Sequence, residues 1–113
     1  MNNNYNPSKN LIKPQPQPQP NSASSYVERF AALADELTKL YELKNKAYGN
    51  SFSTSVQAYG LIAALTRISD KFHRLENLIL HPSTEVGDER LADTLRDLAS
   101  YCLMTVMEVE EQK

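Results

Sequence analysis

The sequence predicts an all-α protein: an antiparallel helical bundle of three long helices, with room for one short helix, behind a disordered N-terminal arm. Three observations predict it. Apolar residues recur at helical spacing through three long segments. No segment alternates apolar and polar residues as a half-buried strand would. The first two long segments close on stop signals, Gly49 and His81-Pro82.

Composition bounds the class. The chain has 113 residues, enough for one domain. Residues 1 to 23 differ from the rest: Asn2-Asn3-Asn4 is followed by Pro14-Gln15-Pro16-Gln17-Pro18-Gln19-Pro20, and five of the six prolines fall here. Alternating Pro and Gln favours extended backbone and has nothing apolar to bury. The foldable part, residues 24–113, is about 90 residues, near the lower limit for a self-sufficient core, so a homo-oligomer, a dimer or higher, is expected. A net charge of −2 disfavours nucleic acid and anionic membrane surfaces as partners. No apolar run approaches the roughly 18 residues of a membrane span. With a single cysteine there is no internal disulfide, and a soluble cytoplasmic protein is expected.

In the first helix, Ser25 and Glu28 have capping-box spacing. Val27, Phe30, Ala34, Leu37, Tyr41 and Tyr48 form one stripe, and Lys44 falls inside it. Lys44 is either a snorkelling helix-end residue or a cation aimed into a cleft beside the core. Gly49 ends the helix, a polar turn carries Phe52, and a helix restarts near Thr54 with a bend at Gly60. The next seam, Leu61, Leu65, Ile68, Phe72, Leu75 and Ile79, steps alternately by four and three, as helix-on-helix packing requires. His81-Pro82 stops it. After a short acidic loop, Asp88 caps a last helix whose seam is Leu91, Leu95, Leu98, Cys102, Val106 and Val109. Cys102 reads as a small core residue. The second apolar flank of this helix, Ala92, Ala99, Leu103 and Met107, suits a central position or an oligomer interface.

The charges have a pattern of their own. A short loop makes the last two helices antiparallel neighbours. Arg67, Asp70, Lys71 and Arg74 then share one side of the seam with Asp93, Asp97 and Tyr101, and Glu36 and Lys44 fall on the same side of the first helix. This grouping is either an inter-helix salt-bridge network or a ligand site. Exposed ion pairs stabilise by only about 1 kcal/mol or less, so stability alone is a weak reason to cluster them. Carboxylates at i and i+4, such as Asp93 and Asp97, present oxygens to a divalent cation, and nearby Arg and Lys hold phosphate. No Gly-rich phosphate loop, zinc spacing or nucleophile elbow is present.

Three motifs follow in order: Lys44 to Phe52 with its Tyr-Gly-Asn-Ser-Phe core, Arg67-x-x-Asp70-Lys71-x-x-Arg74-Leu75, and Asp93-Thr94-Leu95-x-Asp97-Leu98-Ala99-x-Tyr101. Over residues 27 to 108 the chain resembles the phage-associated nucleotide modification associated domain 1 family. That family is similar to the all-α MazG-like nucleoside triphosphate pyrophosphohydrolases, helical oligomers that use magnesium held by helix carboxylates. The resemblance implies a phage or prophage protein of nucleotide metabolism. It would bind a nucleoside triphosphate with magnesium and cleave its α–β phosphate bond. On that reading Glu36, Asp70, Asp93 and Asp97 hold metal, with Asp93 and Asp97 catalytic. Lys44, Arg67, Lys71 and Arg74 engage phosphates, and Tyr48, Asn50, Phe52 and Tyr101 contact the rest of the substrate. The first helix departs from the relatives' pattern, with Lys39 where they carry a third acid. The alternative is a non-enzymatic helical interaction protein, a phage factor acting on a host protein.

Overall fold

A computed structural model of the chain describes residues 23–82 and 88–111. It contains α1 (Ala23–Tyr48), α2 (Ser51–Tyr59), α3 (Ile62–Leu80) and α4 (Asp88–Glu111). The protein is all-α, with three long helices, one short one and no strand among the described residues. None of its described helices is long and apolar enough to cross a membrane. The arm expected over residues 1 to 23 lies outside the described residues apart from Ala23.

The chain divides between Asp35 and Glu36 into two compact units. In the first, the described part is the N-terminal half of α1, where the Arg29 guanidinium lies 5.6 Å from the centre of the Tyr26 ring. The second unit, Glu36–Lys113, contains the rest of α1 and the other three helices.

Local chemistry accounts for most boundaries and corrects three. Helix α1 begins at Ala23, so Ser25 is a buried residue of its first turn and not the N-cap. Ala23 and Ser24 enter helical backbone at little cost. At the other end Gly49 terminates α1 as expected, with φ 63°, and its N–H donates to the Asn45 carbonyl at 2.9 Å. Asn50 is also left-handed, at φ 59°, a conformation Asn tolerates better than most residues. Two left-handed residues in succession redirect the chain at once, so α2 starts at Ser51 and not near Thr54. Thr54 donates both its N–H and its hydroxyl to the Asn50 carbonyl, each at 3.2 Å. Gly60 does more than bend a helix: with φ 84° and ψ −174° it separates α2 from α3. Helix α3 ends at Leu80, ahead of the His81-Pro82 stop.

Helices α3 and α4 are antiparallel neighbours. Two cross-helix contacts fix this, Arg67 with Tyr101 and Lys71 with Asp97: advancing four residues along α3 retreats four along α4. Their contact is the most extensive between any two elements, and α2 packs against both.

The facing surfaces differ from the expected seams. The residues of α3 with reduced exposure at this contact are Ala64, Ile68, Lys71, Leu75 and Leu78; on α4 they include Leu91, Thr94, Leu98, Tyr101 and Thr105. Both helices are therefore rolled by roughly 60° from the apolar seam toward its charged flank, at 100° per residue. Ile68, Leu75, Leu91 and Leu98 belong to both descriptions. Leu61, Leu65, Phe72, Ile79, Leu95, Val106 and Val109, expected in the core, are exposed. Cys102, read as a core residue, is exposed for the same reason. Among the described residues Val56 and Ala64, each 1% exposed, are the buried apolar ones, and Thr94 is nearly as buried, its hydroxyl donating to the Arg90 carbonyl at 2.9 Å. Small side chains thus occupy the tightest positions, where close helix approach leaves no room for larger ones.

Two stability measurements check this arrangement. Ala64→Leu should destabilise by about 1–3 kcal/mol in chemical denaturation, because it overpacks a filled site; on the expected seam the same change would be tolerated. Gly60→Ala should cost about 1–3 kcal/mol through backbone strain alone, since an added Cβ meets nothing within 4 Å.

Candidate functional site

The charged flank onto which α3 and α4 roll is also where a cleft opens. Its volume is about 310 Å³. Leu40, Tyr41, Lys44, Asn45 and Tyr48 of α1 form one wall, and Ser51 and Phe52 of α2 close one side. Arg67 and Lys71 of α3 face Asp97, Ser100, Tyr101 and Met104 of α4. All belong to the Glu36–Lys113 unit.

Sequence logic explains how the wall is built. Tyr41, Lys44 and Tyr48 are separated by three and four residues, so they lie along one face of α1. The left-handed pair Gly49-Asn50 then folds α2 back, which brings Phe52 to the cleft. Phe52 and Tyr101 form an aromatic pair with centroids 5.8 Å apart and planes tilted by 32°, within the range where ring contacts are favourable. The Tyr101 hydroxyl accepts from Arg67 Nη1 at 3.5 Å. Lys71 Nζ contacts Asp97 Oδ2 at 2.9 Å, in a part-buried setting. The lining therefore holds three cations, Lys44, Arg67 and Lys71, against one carboxylate, Asp97. That is the opposite sign to the whole chain, whose net charge is −2.

Of the residues singled out in the sequence, Lys44, Tyr48, Phe52, Arg67, Lys71, Asp97 and Tyr101 come together around the cleft. Lys44 and Tyr48 are exposed and form its rim. Asn50 shapes the α1–α2 joint and does not line the cleft. Arg74 and Asp70 are exposed and also lie outside the lining.

The acids expected to hold magnesium are arranged differently. Arg96 Nε lies 3.6 Å from Glu36 Oε2, and its Nη1 lies 3.8 Å from Asp93 Oδ1. Asp97 is engaged by Lys71. Three of the four acids therefore face cations, and among the described residues no group of three His, Cys, Asp or Glu converges as a metal site. Magnesium binds through one or two carboxylates completed by waters and substrate phosphates, so this arrangement bears on a dedicated protein cage and not on a metal carried in with a nucleotide.

Arg96 is the residue that sequence reasoning missed. It joins α1 to α4 through Glu36, and its Nε is shielded from solvent without a hydrogen-bond partner. Its i,i+3 spacing from Asp93 is a readable signal of an ion pair. The tie to Glu36 has none, because it depends on how α1 lies against α4. Tyr41, assigned to an apolar stripe, is a further cleft residue.

Residues 44–109 match the family model described as nucleotide modification associated domain 1. The match starts at Lys44, later than the resemblance expected from residue 27. It covers every lining residue of the cleft except Leu40 and Tyr41, and leaves out Glu36. No curated protein and no solved structure matches the chain. Because the match spans more than half of the sequence, the chain belongs to the nucleotide modification associated domain 1 family.

Proposed function

We propose that the chain binds a nucleotide in this cleft, holding its phosphate with Lys44, Arg67 and Lys71 and its ring system against the aromatic side chains. The observation that carries this is the lining itself: three cations and four aromatic rings, Tyr41, Tyr48, Phe52 and Tyr101, around one cleft of about 310 Å³. That volume is at the lower end of the roughly 300–1,000 Å³ typical of small-molecule sites, which suits one mononucleotide unit. Charge-assisted hydrogen bonds from Arg and Lys to phosphate oxygens are among the stronger polar contacts, and a partly enclosed site strengthens them. Aromatic faces accept any base, so base identity would be set by the few polar groups at the cleft, Asn45, Ser51 and Ser100. The family's description, nucleotide modification associated, points to the same ligand class.

Asp97 has a specific part in this reading. Its carboxylate neutralises Lys71, and an incoming phosphate competes with it for the same ammonium. Asp97 thus lowers affinity for anions while keeping a part-buried lysine paired. Binding through cations alone needs no bridging metal, so magnesium becomes a variable of the assay and not a premise.

Calorimetric titration of the full chain with nucleoside mono- and triphosphates, with and without magnesium, tests the proposal. Binding is expected in both conditions and should weaken with ionic strength, as partly exposed ion contacts do. Absence of binding heat together with an unchanged melting temperature across the panel would remove the proposal. Arg67→Ala and Lys71→Ala should each weaken binding roughly 10-fold to 100-fold, the loss of one charge-assisted contact. Asp97→Asn is the discriminating variant. Competition for Lys71 predicts tighter nucleotide binding, by about threefold or more. If Asp97 were instead a metal ligand, the same change would weaken binding and make it insensitive to magnesium.

A further inference from the structure

The cations of the cleft are confined to a short stretch, and this limits the phosphate chain that fits. Arg67 and Lys71 lie one turn apart on α3, close enough for both to hold one phosphate. The row stops in both directions. One turn before Arg67 stand Ala63 and Ala64, and Ala64 is buried in the helix contact. One turn after Lys71, Arg74 is exposed and lies outside the lining. Arg74 also follows Asp70 by four residues, a spacing that sets a carboxylate beside it. Past Lys71, α3 therefore offers one cation next to one acid.

Charge sets a second limit. Three cations and one carboxylate leave the lining a surplus of two positive charges. An ionised phosphomonoester carries about −1.5 to −2 at pH 7, its second proton leaving near pH 6. The two balance. Each further phosphate adds negative charge that no lining residue meets, and Asp97, held 2.9 Å from Lys71, repels it. The position of the cations agrees with this. Arg67 reaches the Tyr101 hydroxyl at 3.5 Å, and the Tyr101 ring pairs with Phe52. The phosphate position thus starts at the edge of the ring wall, where the phosphate nearest the sugar of a nucleotide lies.

We infer that the cleft is specific for nucleoside monophosphates, selecting them over triphosphates by matching one phosphate dianion to Lys44, Arg67 and Lys71. This rests on the nucleotide reading of the cleft and names the ligand class within it. Asp97 is the residue that determines the specificity. It holds the surplus at two charges, so lengthening the phosphate chain adds repulsion and gains no new cation. Magnesium on a triphosphate offsets part of its charge but does not shorten it, so the preference narrows with magnesium and persists.

The test is calorimetric titration of the full chain at about pH 7.5, above the second phosphate ionisation. Nucleoside 5′-monophosphates and triphosphates of the same base are compared, with and without magnesium. Without magnesium the monophosphate should bind at least about tenfold tighter. Its phosphate methyl ester, fixed at one negative charge, should bind about tenfold more weakly than the parent monophosphate. Asp97→Asn should improve the triphosphate more than the monophosphate and so narrow their ratio. Arg74→Ala should change both affinities by less than about threefold, as an exposed charge outside the site does. A triphosphate that binds as tightly as the monophosphate in either condition would overturn the inference, as would a methyl ester of equal affinity. A ratio unmoved by Asp97→Asn, or a triphosphate weakened by Arg74→Ala, would overturn it too. In each of those cases nucleotides still bind and the reading of the cleft stands, whereas failure of every nucleotide to bind removes both.

Discussion

The contact between α3 and α4 is the constraint on which the rest of this protein depends. It sets the antiparallel register through Lys71–Asp97 and Arg67–Tyr101, and it fixes which side of each helix remains available. Small residues hold it close: Ala64 is almost fully buried on α3 and Thr94 on α4. The roll that allows this approach turns two cations, a carboxylate and a tyrosine toward one side of the hairpin. The same roll turns a row of leucine, isoleucine, valine and phenylalanine side chains outward on the other. Cleft and apolar face are thus two consequences of a single packing choice.

That choice also decides what the charges do. An acid beside several bases can serve as a metal ligand, as half of an ion pair or as a competitor for an anionic ligand, and geometry selects among these roles. Asp97 lies 2.9 Å from Lys71, and Arg96 takes up Glu36 and Asp93. The cleft accordingly presents more positive than negative charge although the chain as a whole is acidic. Exposed pairs of this kind add little to stability; Lys71 and Asp97 line the aromatic cleft, whereas Arg96, Glu36 and Asp93 lie outside it.

The α1–α2 joint has a comparable positional role. Gly49 and Asn50, both left-handed, fold α2 back immediately after α1. This places Phe52 against Tyr101 and leaves Tyr41, Lys44 and Tyr48 along the neighbouring wall. A gentler turn would carry Phe52 away from the cleft and remove one side of it. The joint combines a residue without a Cβ and one whose short polar side chain tolerates positive φ. Residue type there is therefore tied to the shape of the site as well as to the end of a helix.

The sequence by itself determined the helical class, the three long segments and the short one, and the stops at Gly49 and His81-Pro82, because these follow from periodicity and backbone chemistry that act over a few residues. It also brought Lys44, Tyr48, Phe52, Arg67, Lys71, Asp97 and Tyr101 into one candidate group, since side-chain direction along a helix is fixed by spacing. Only the tertiary structure decided the roll of α3 against α4, and with it the exposure of Cys102, Leu65 and Phe72 and the pairing of Glu36 with Arg96. A periodic apolar arc shows that a helix has a face to bury, but an arc this wide can be shared between two partners. Which half meets α4 depends on how closely Ala64 and Thr94 let the backbones approach, and that steric fit exists only once both helices are in place.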